Sequence, residues 1–188
     1  MDYKRLSKKE RQDSLINALS DCPFLTDEEL ADKFNISVQT IRLDRLELKI
    51  PELRERVKNV AENNFLKVKS IGGKEFVGEL VDIQPGKNAI SILDTSKDMV
   101  FEKSQVVKGQ HIYAMAESIA LAIIDAGVAL TGVANIKYKR PVYAGEKLVA
   151  KAEVIRVRGN EFYVWVMIYV KHEEVFRGKF ILVSMDIV

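Results

Sequence analysis

The period of the apolar residues changes once along this chain, near residue 65, and no single layered domain accommodates both halves. Ahead of that point the apolar residues recur at helical spacing. Beyond it, runs of β-branched and aromatic residues alternate and are separated by turns rich in Gly, Pro and Asn. In the first half, "SKKERQDSLINALSD" has apolar residues at 15, 16 and 19, and Ser7 and Glu10 have capping-box spacing. Pro23 ends that element. "TDEELADKF" follows, with Thr26 as N-cap, acids in the first turn, and Leu30 and Phe34 on one face. The short turn "NIS" leads to "VQTIRLDRLELK", capped by Ser37 and striped by Val38, Ile41 and Leu48. Pro51 suits the first turn of a further helix, "PELRERVKNVAENN". In the second half the strand-like runs are "EFVGELVDI", "NAISILDT", "VANIKYKRPV", "KLVAKAEVIRVR", "EFYVWVMIYVKH" and "EVFRGKFILVSM". One helix pattern, "GQHIYAMAESIALAII" at 109–124, interrupts them. The two halves predict a multi-domain chain. An all-α winged/helix-turn-helix DNA-binding domain occupies 1–50 and a linker helix 51–64. An α+β domain, with a long helix wrapped by an antiparallel sheet, occupies 65–188.

Composition narrows the classes. Apolar residues make up 47% and charged residues 30% of the 188, which is ordinary for a soluble globular protein. No stretch is apolar for the ~20 residues that a membrane helix needs, so no membrane partner is expected. The start, "MDYKRLSKKERQ", is charged and has no signal-peptide pattern, so cytoplasmic location is the expectation. Cys22 is the only cysteine, which makes an intramolecular disulfide impossible, and two histidines make no metal motif. No metal, cofactor or catalytic residue is expected. Residues 1–60 carry 12 Lys+Arg against 12 Asp+Glu, but residues 4–11 hold five bases against one acid. A neutral total does not exclude nucleic acid, because binding needs a basic face and not a basic domain.

A helix, a second helix capped by Thr26, a tight turn and a third helix is helix-turn-helix organisation. In that motif the second of the paired helices enters the major groove and its first residues meet base edges. Those residues are Gln39, Thr40, Arg42 and Arg45, with Ser37 at the cap. Arg can bond guanine O6 and N7, and Gln can bond adenine N6 and N7. Asp44 is expected to orient a neighbouring arginine. Arg54 and Arg56, on the linker helix, are candidates for backbone or minor-groove contact. The alternative for this half is a protein-interaction module with a solvated charged face. The words "LTDEELADKFNISVQTIRLDRLEL" resemble the DeoR-type helix-turn-helix, whose third helix carries Thr-Ile-Arg-x-Asp, here Thr40 to Asp44.

The second half resembles the hot-dog architecture. Joined to a DeoR-like reader, and with "NISVQTIRLDRLELKIPELRERVKNVAE", "SILD", "VF", "GQHIYAMAESIALAII" and "YVKHEEVFRGKF", nearly the whole chain resembles the FapR family. These are bacterial repressors of fatty acid and phospholipid biosynthesis genes. The resemblance implies a homodimer through the hot-dog domain, bound to palindromic operator DNA and released by malonyl-CoA as effector ligand. Malonyl-CoA differs from acetyl-CoA by one carboxylate, so a sensor needs a cation at the acyl tip, because an unpaired buried charge is costly. In the family that cation is an arginine just before the glycine that opens the helix. Lys108 stands there in this chain, keeping the charge and losing the bidentate geometry. Gly109 matches the family glycine, where a backbone N–H can approach the ligand. Phe101 matches a pocket aromatic, and Leu130 lies on the strand bordering the tunnel. Without the resemblance these four read as a solvated loop lysine, a helix-boundary glycine and two core residues.

Glu117, inside the apolar helix, stands where the family typically has asparagine. One group of hot-dog thioesterases uses a helix acid in a similar Ala-Glu-Ser setting as general base or nucleophile. Three roles compete. Glu117 is a catalyst, making the chain a transcription factor that slowly hydrolyses its ligand or an acyl-CoA thioesterase with an accessory helical domain. It pairs with Lys108 or another base across the pocket. Or it is an ordinary helix carboxylate. The second role is favoured, because a sensor that destroys its signal responds poorly.

Overall fold

The computed structural model describes residues 7–185 and divides between Val60 and Ala61 into two compact units. The first is helical. Helices α1 (Lys8–Asp21), α2 (Asp27–Phe34) and α3 (Val38–Glu47) enclose Leu15, Leu19, Leu30, Ala31 and Ile41, with Phe34, Val38, Leu48 and Ile50 packed around them. Ile16, on the apolar side of its helix in the sequence pattern, is 42% exposed. The local signals act as their chemistry dictates. Ser7 with Glu10 and Thr26 with Glu29 form reciprocal capping boxes, and the Ser37 hydroxyl accepts the Thr40 N–H at 3.2 Å. Among the described residues this unit contains helices and no strand.

Helix α4 (Leu53–Phe65) begins in the first unit and ends in the second. The boundary therefore falls inside the helix rather than at either end of the 51–64 linker. At its far end Asn64 is buried, and its Nδ2 donates to the carbonyls of Leu80 and Val81 at 3.3 and 2.6 Å.

Among the described residues the second unit holds one six-stranded antiparallel sheet, one long helix, a short 3-10 turn at Lys97–Met99 and the end of α4. The strands are β1 (Glu79–Gln84), β2 (Asn88–Asp94), β3 (Val128–Tyr138), β4 (Lys147–Arg158), β5 (Glu161–Val170) and β6 (Glu173–Met185). Their order is β1-β2-β4-β5-β6-β3. Strict alternation along β5 sends Val164, Val166, Ile168 and Val170 inward. They meet Ile112, Met115, Ala116, Ile119 and Ala120 of α5 (Gly109–Ala122) in one core. Small residues at Ala150 and Ala152 of β4 leave room in this core. Gly178 has the same use, since a Cβ there would collide with the rings of Phe180 and Phe176. This is the hot-dog arrangement. Trp165 is not core. It is turned outward, 36% exposed, under the Lys179 ammonium at 4.9 Å.

Among the described residues strand β3 pairs only with β6, which leaves the other edge of its eleven residues open. Leu130 and Val133 on it are more than half exposed. Among the described residues no helix is long and apolar enough to cross a membrane.

Candidate functional site

The first unit presents a reading face at the start of α3. Asn35 stops α2 in the left-handed region (φ 52°), Ile36 N–H returns to Ala31 O at 3.0 Å, and Ser37 caps the next helix. Three residues therefore turn the chain. Gln39 and Arg42 are exposed and Thr40 half-buried, its hydroxyl 2.9 Å from that of Ser37. Arg42 touches Asp27 only at 3.4 Å, which leaves its guanidinium free to turn to a base. Arg54 on α4 is exposed as well.

Two arginines expected on that face are not there. Arg45 is 6% exposed, donates to Asp27 through Nε and Nη2 at 2.8 and 2.9 Å, and reaches Ile50 O at 3.3 Å. It ties α3 to α2. Arg56 is equally buried and donates to the carbonyls of Pro23, Pro51 and Leu25 at 3.0, 2.6 and 2.6 Å. It ties the α1–α2 and α3–α4 connectors to the first turn of α4. Both are structural, because their donors are already used inside the unit. Asp44 does orient an arginine, but one on α1. Arg11 grips it at 2.6 and 3.0 Å, with Gln12 at 3.2 Å. The hydrogen bond from Arg11 holds the Asp44 carboxyl below the usual carboxylate range. Of the basic run at 4–11, Lys4 and Arg5 lie outside the described residues.

The second unit carries a cavity of about 460 Å³ at the start of α5. Its walls come from three places. Phe101, Val106 and Val107 belong to the loop before the helix, Gly109 and Ile112 to the first turn, and Tyr138 to Val142 to the end of β3 and beyond. The loop is pinned by Phe101 N–H to Val106 O, Val107 N–H to Val142 O and Lys108 N–H to Met99 O, each 2.8 Å. Phe101 is 53% exposed, so it is a wall aromatic and not core. Tyr138 Oη donates to Gly109 O at 3.0 Å, and a Cβ on Gly109 would stand 2.9 Å from that oxygen. The missing side chain therefore makes room for the Tyr138 ring beside the first helical turn. Burial pushes the Tyr138 phenol up, which keeps it a donor.

The other expected effector residues lie outside these walls. Lys108 is the N-cap residue of α5, next to Gly109, and its ammonium has no partner among the described residues. Leu130 is on the open edge of β3. Glu117 is eight residues beyond Gly109, about 12 Å along the helix. It does not pair with Lys108. It accepts from Tyr113 Oη at 3.1 Å, one helical turn back. Burial and then this bond push the Tyr113 phenol up, so the phenol donates. That partner was legible from i, i+4 spacing. Of the ten wall residues sequence reasoning found two, Phe101 and Gly109, and the basic cluster "KYKR" inside the run "VANIKYKRPV" hints at Tyr138, Lys139 and Arg140.

Comparison with known proteins agrees with both units. The Thioesterase superfamily pattern matches residues 111–176. A transcription factor FapR of Caldanaerobacter subterraneus subsp. tengcongensis is 63% identical over 182 residues, 97% of this chain and 91% of that protein. A transcription factor FapR of Bacillus subtilis is 49% identical over 179 residues, 94% of this chain and 95% of that protein. Among solved structures, an uncharacterized protein of Pyrococcus horikoshii superposes with a TM-score of 0.59 at 27% identity, over 63% of this chain and 92% of its own. The two FapR relatives are named as transcription factors and not as enzymes.

Proposed function

The chain belongs to the FapR family of transcription factors, and on that premise we propose that it represses fatty acid and phospholipid biosynthesis genes from palindromic operators in the cytoplasm. Malonyl-CoA, bound in the hot-dog unit, releases it. The observation that carries this reading is the cavity at the start of α5. It is of ligand size and walled by Phe101, Gly109 and Tyr138. Lys108, the N-cap residue next to Gly109, has an ammonium unengaged among the described residues, and it stands at the positive end of the helix dipole. A malonyl carboxylate suits that place, and an acetyl group leaves the cation unpaired.

A palindromic operator requires two readers. The open edge of β3, long and partly apolar, is a template for pairing with a second copy, and this supports a homodimer through the hot-dog units. Helix α4 is tied to the reader by Arg56 and to the sheet by Asn64. A ligand-dependent change in the second unit has this helix as its covalent route to the spacing of the readers. Linkage demands that operator DNA weaken malonyl-CoA binding by the same factor as malonyl-CoA weakens DNA binding.

Fluorescence anisotropy on a labelled palindromic promoter fragment at stated salt tests the reading, with malonyl-CoA, acetyl-CoA and CoA as titrants. Selective release by malonyl-CoA is expected. Equal release by all three, or none, overturns the effector assignment. A thioesterase activity has one observation in its favour, the Tyr113–Glu117 pair within the superfamily match. Free-thiol release from acyl-CoA, lost in Glu117→Gln, distinguishes it.

A further inference from the structure

A second cavity, of about 540 Å³, lies in the same unit and is bordered by Arg140, Glu146, Val170, Lys171, His172 and Glu173. It differs in kind from the first. Four of its six lining residues, Arg140, Glu146, Lys171 and Glu173, are charged, and Arg140 belongs to both cavities. We propose that Arg140 reads the phosphates of the ligand. The acyl and pantetheine end occupies the apolar cavity, and the phosphorylated end runs past Arg140 into the polar one. This rests on the effector being a coenzyme A thioester.

The bonding around Arg140 separates two fixed partners, the Pro141 carbonyl that takes Nη1 at 2.6 Å and the Glu146 carboxylate, from a displaceable one. Glu146 accepts from Nη1 and Nη2 at 3.3 and 3.2 Å and also takes the Tyr143 N–H at 2.8 Å, so it is anchored to the chain. Burial pushes the Glu146 carboxyl up, but the bonds from Arg140 and Tyr143 outweigh this and keep it ionised. Glu173 holds only Nε, at 2.8 Å, and its side chain is 65% exposed. A phosphate oxygen can take the place of Glu173 on Nε, and Glu173 loses little by returning to water. Arginine suits this exchange, because its planar group keeps one edge on Glu146 while presenting another to phosphate. Lys171 and His172, both exposed at the same cavity, lie where further phosphate oxygens would pass. Glu173 then acts as a stand-in for the ligand, neutralising the site until a phosphate arrives.

Calorimetric binding to the full chain tests this with three titrants: malonyl-CoA, its 3′-dephospho form, and malonyl-pantetheine, which has no phosphate next to the pantetheine. Arg140→Met should weaken malonyl-CoA by about 10-fold or more, the loss of one charge-assisted bond, and leave malonyl-pantetheine unchanged. If the 3′-dephospho form follows malonyl-CoA, the diphosphate is read, and if it follows malonyl-pantetheine, the 3′-phosphate is. Equal loss for all three titrants, or no loss for any, overturns the proposal. Because Arg140→Met also strips Glu146 of its partner, Glu173→Gln is the second variant. It keeps Arg140 and should tighten malonyl-CoA several-fold in a salt-dependent way, and unchanged or weaker binding counts against the proposal. Inorganic pyrophosphate separates this idea from the effector assignment. Binding to the wild type that Arg140→Met removes sustains the phosphate subsite even if malonyl-CoA proves no better than acetyl-CoA. Pyrophosphate binding unaffected by Arg140→Met overturns the subsite whatever the acyl preference.

Discussion

Replacing Arg56 by Met should unfold the reader unit without touching a DNA contact. Arg56 is 6% exposed and supplies three hydrogen bonds to backbone carbonyls, from Pro23, Leu25 and Pro51. Methionine keeps much of the apolar stem and removes every donor. A bond from a charged donor is worth at least about 1.5 kcal/mol, and a buried acceptor left without a partner costs a similar amount. Three of them give a loss of about 4–5 kcal/mol. A unit of roughly 60 residues has only about 3–9 kcal/mol of stability to lose. Urea denaturation of the full chain, followed by far-UV circular dichroism, should lose the helical signal of the first unit near zero denaturant while the sheet signal persists. Operator binding should disappear with it. Arg54, exposed on the same helix, is the control, and Arg54→Gln should leave stability within about 0.5 kcal/mol. The opposite outcome is an Arg56→Met variant that folds as stably as the wild type and binds DNA more weakly. Arg56 would then be the phosphate contact that its position in the sequence suggests.

Other perturbations separate the remaining roles. The bond from Arg11 holds Asp44 below the ordinary carboxylate range. Burial pushes Asp27 up, but Arg45 and Arg42 outweigh it and leave it lowered too. Both folded pKa values lie below the unfolded ones, so this stabilisation is complete above about pH 4 and is lost as pH falls through the depressed values. The melting temperature of the first unit should drop there, and Asp44→Asn should flatten the drop; an identical acid profile in that variant would show the pair to be unimportant. Gly109→Val collides with Tyr138 and should give a repressor that binds operator but no longer releases with malonyl-CoA; normal release would mean that the cavity is not the effector site. Gln39→Ala and Arg42→Ala should each reduce discrimination between operator and scrambled DNA by about 1–3 kcal/mol in anisotropy competition, and no change in either would move the reading face elsewhere. Ser91 Oγ is buried without a partner among the described residues, so Ser91→Ala should melt at or above the wild-type temperature, whereas a loss near 2 kcal/mol would reveal a bond to that hydroxyl.

Much of this protein is determined within short stretches of its sequence. Ser7, Thr26 and Ser37 cap helices because each hydroxyl bonds an N–H three residues on, and Asn35 turns the chain through its own φ. The alternation in "EFYVWVMIYV" selects the inward face of β5 because side chains of a strand alternate. The strand runs therefore fall where their composition places them, although β3 begins at Val128, earlier than its most regular portion suggests. Charge was the poorer guide. Arg45 and Arg56 occupy positions from which a solvated arginine would meet DNA, yet each is withdrawn by groups distant in the chain, Asp27 in one case and the carbonyls of Pro23 and Leu25 in the other. Glu117 finds Tyr113 on its own helix, but Gly109 needs Tyr138, twenty-nine residues away, to explain its missing side chain. The cluster "KYKR" marks Arg140 as basic, but its place between two cavities comes from segments distant in the chain. The sequence alone determined the helices, the strands and the kinship, since capping, periodicity and motif act over a few residues. Only the tertiary structure decided which charges remain available to a ligand, because a long polar side chain takes whichever partner the folded chain brings within three ångströms of it.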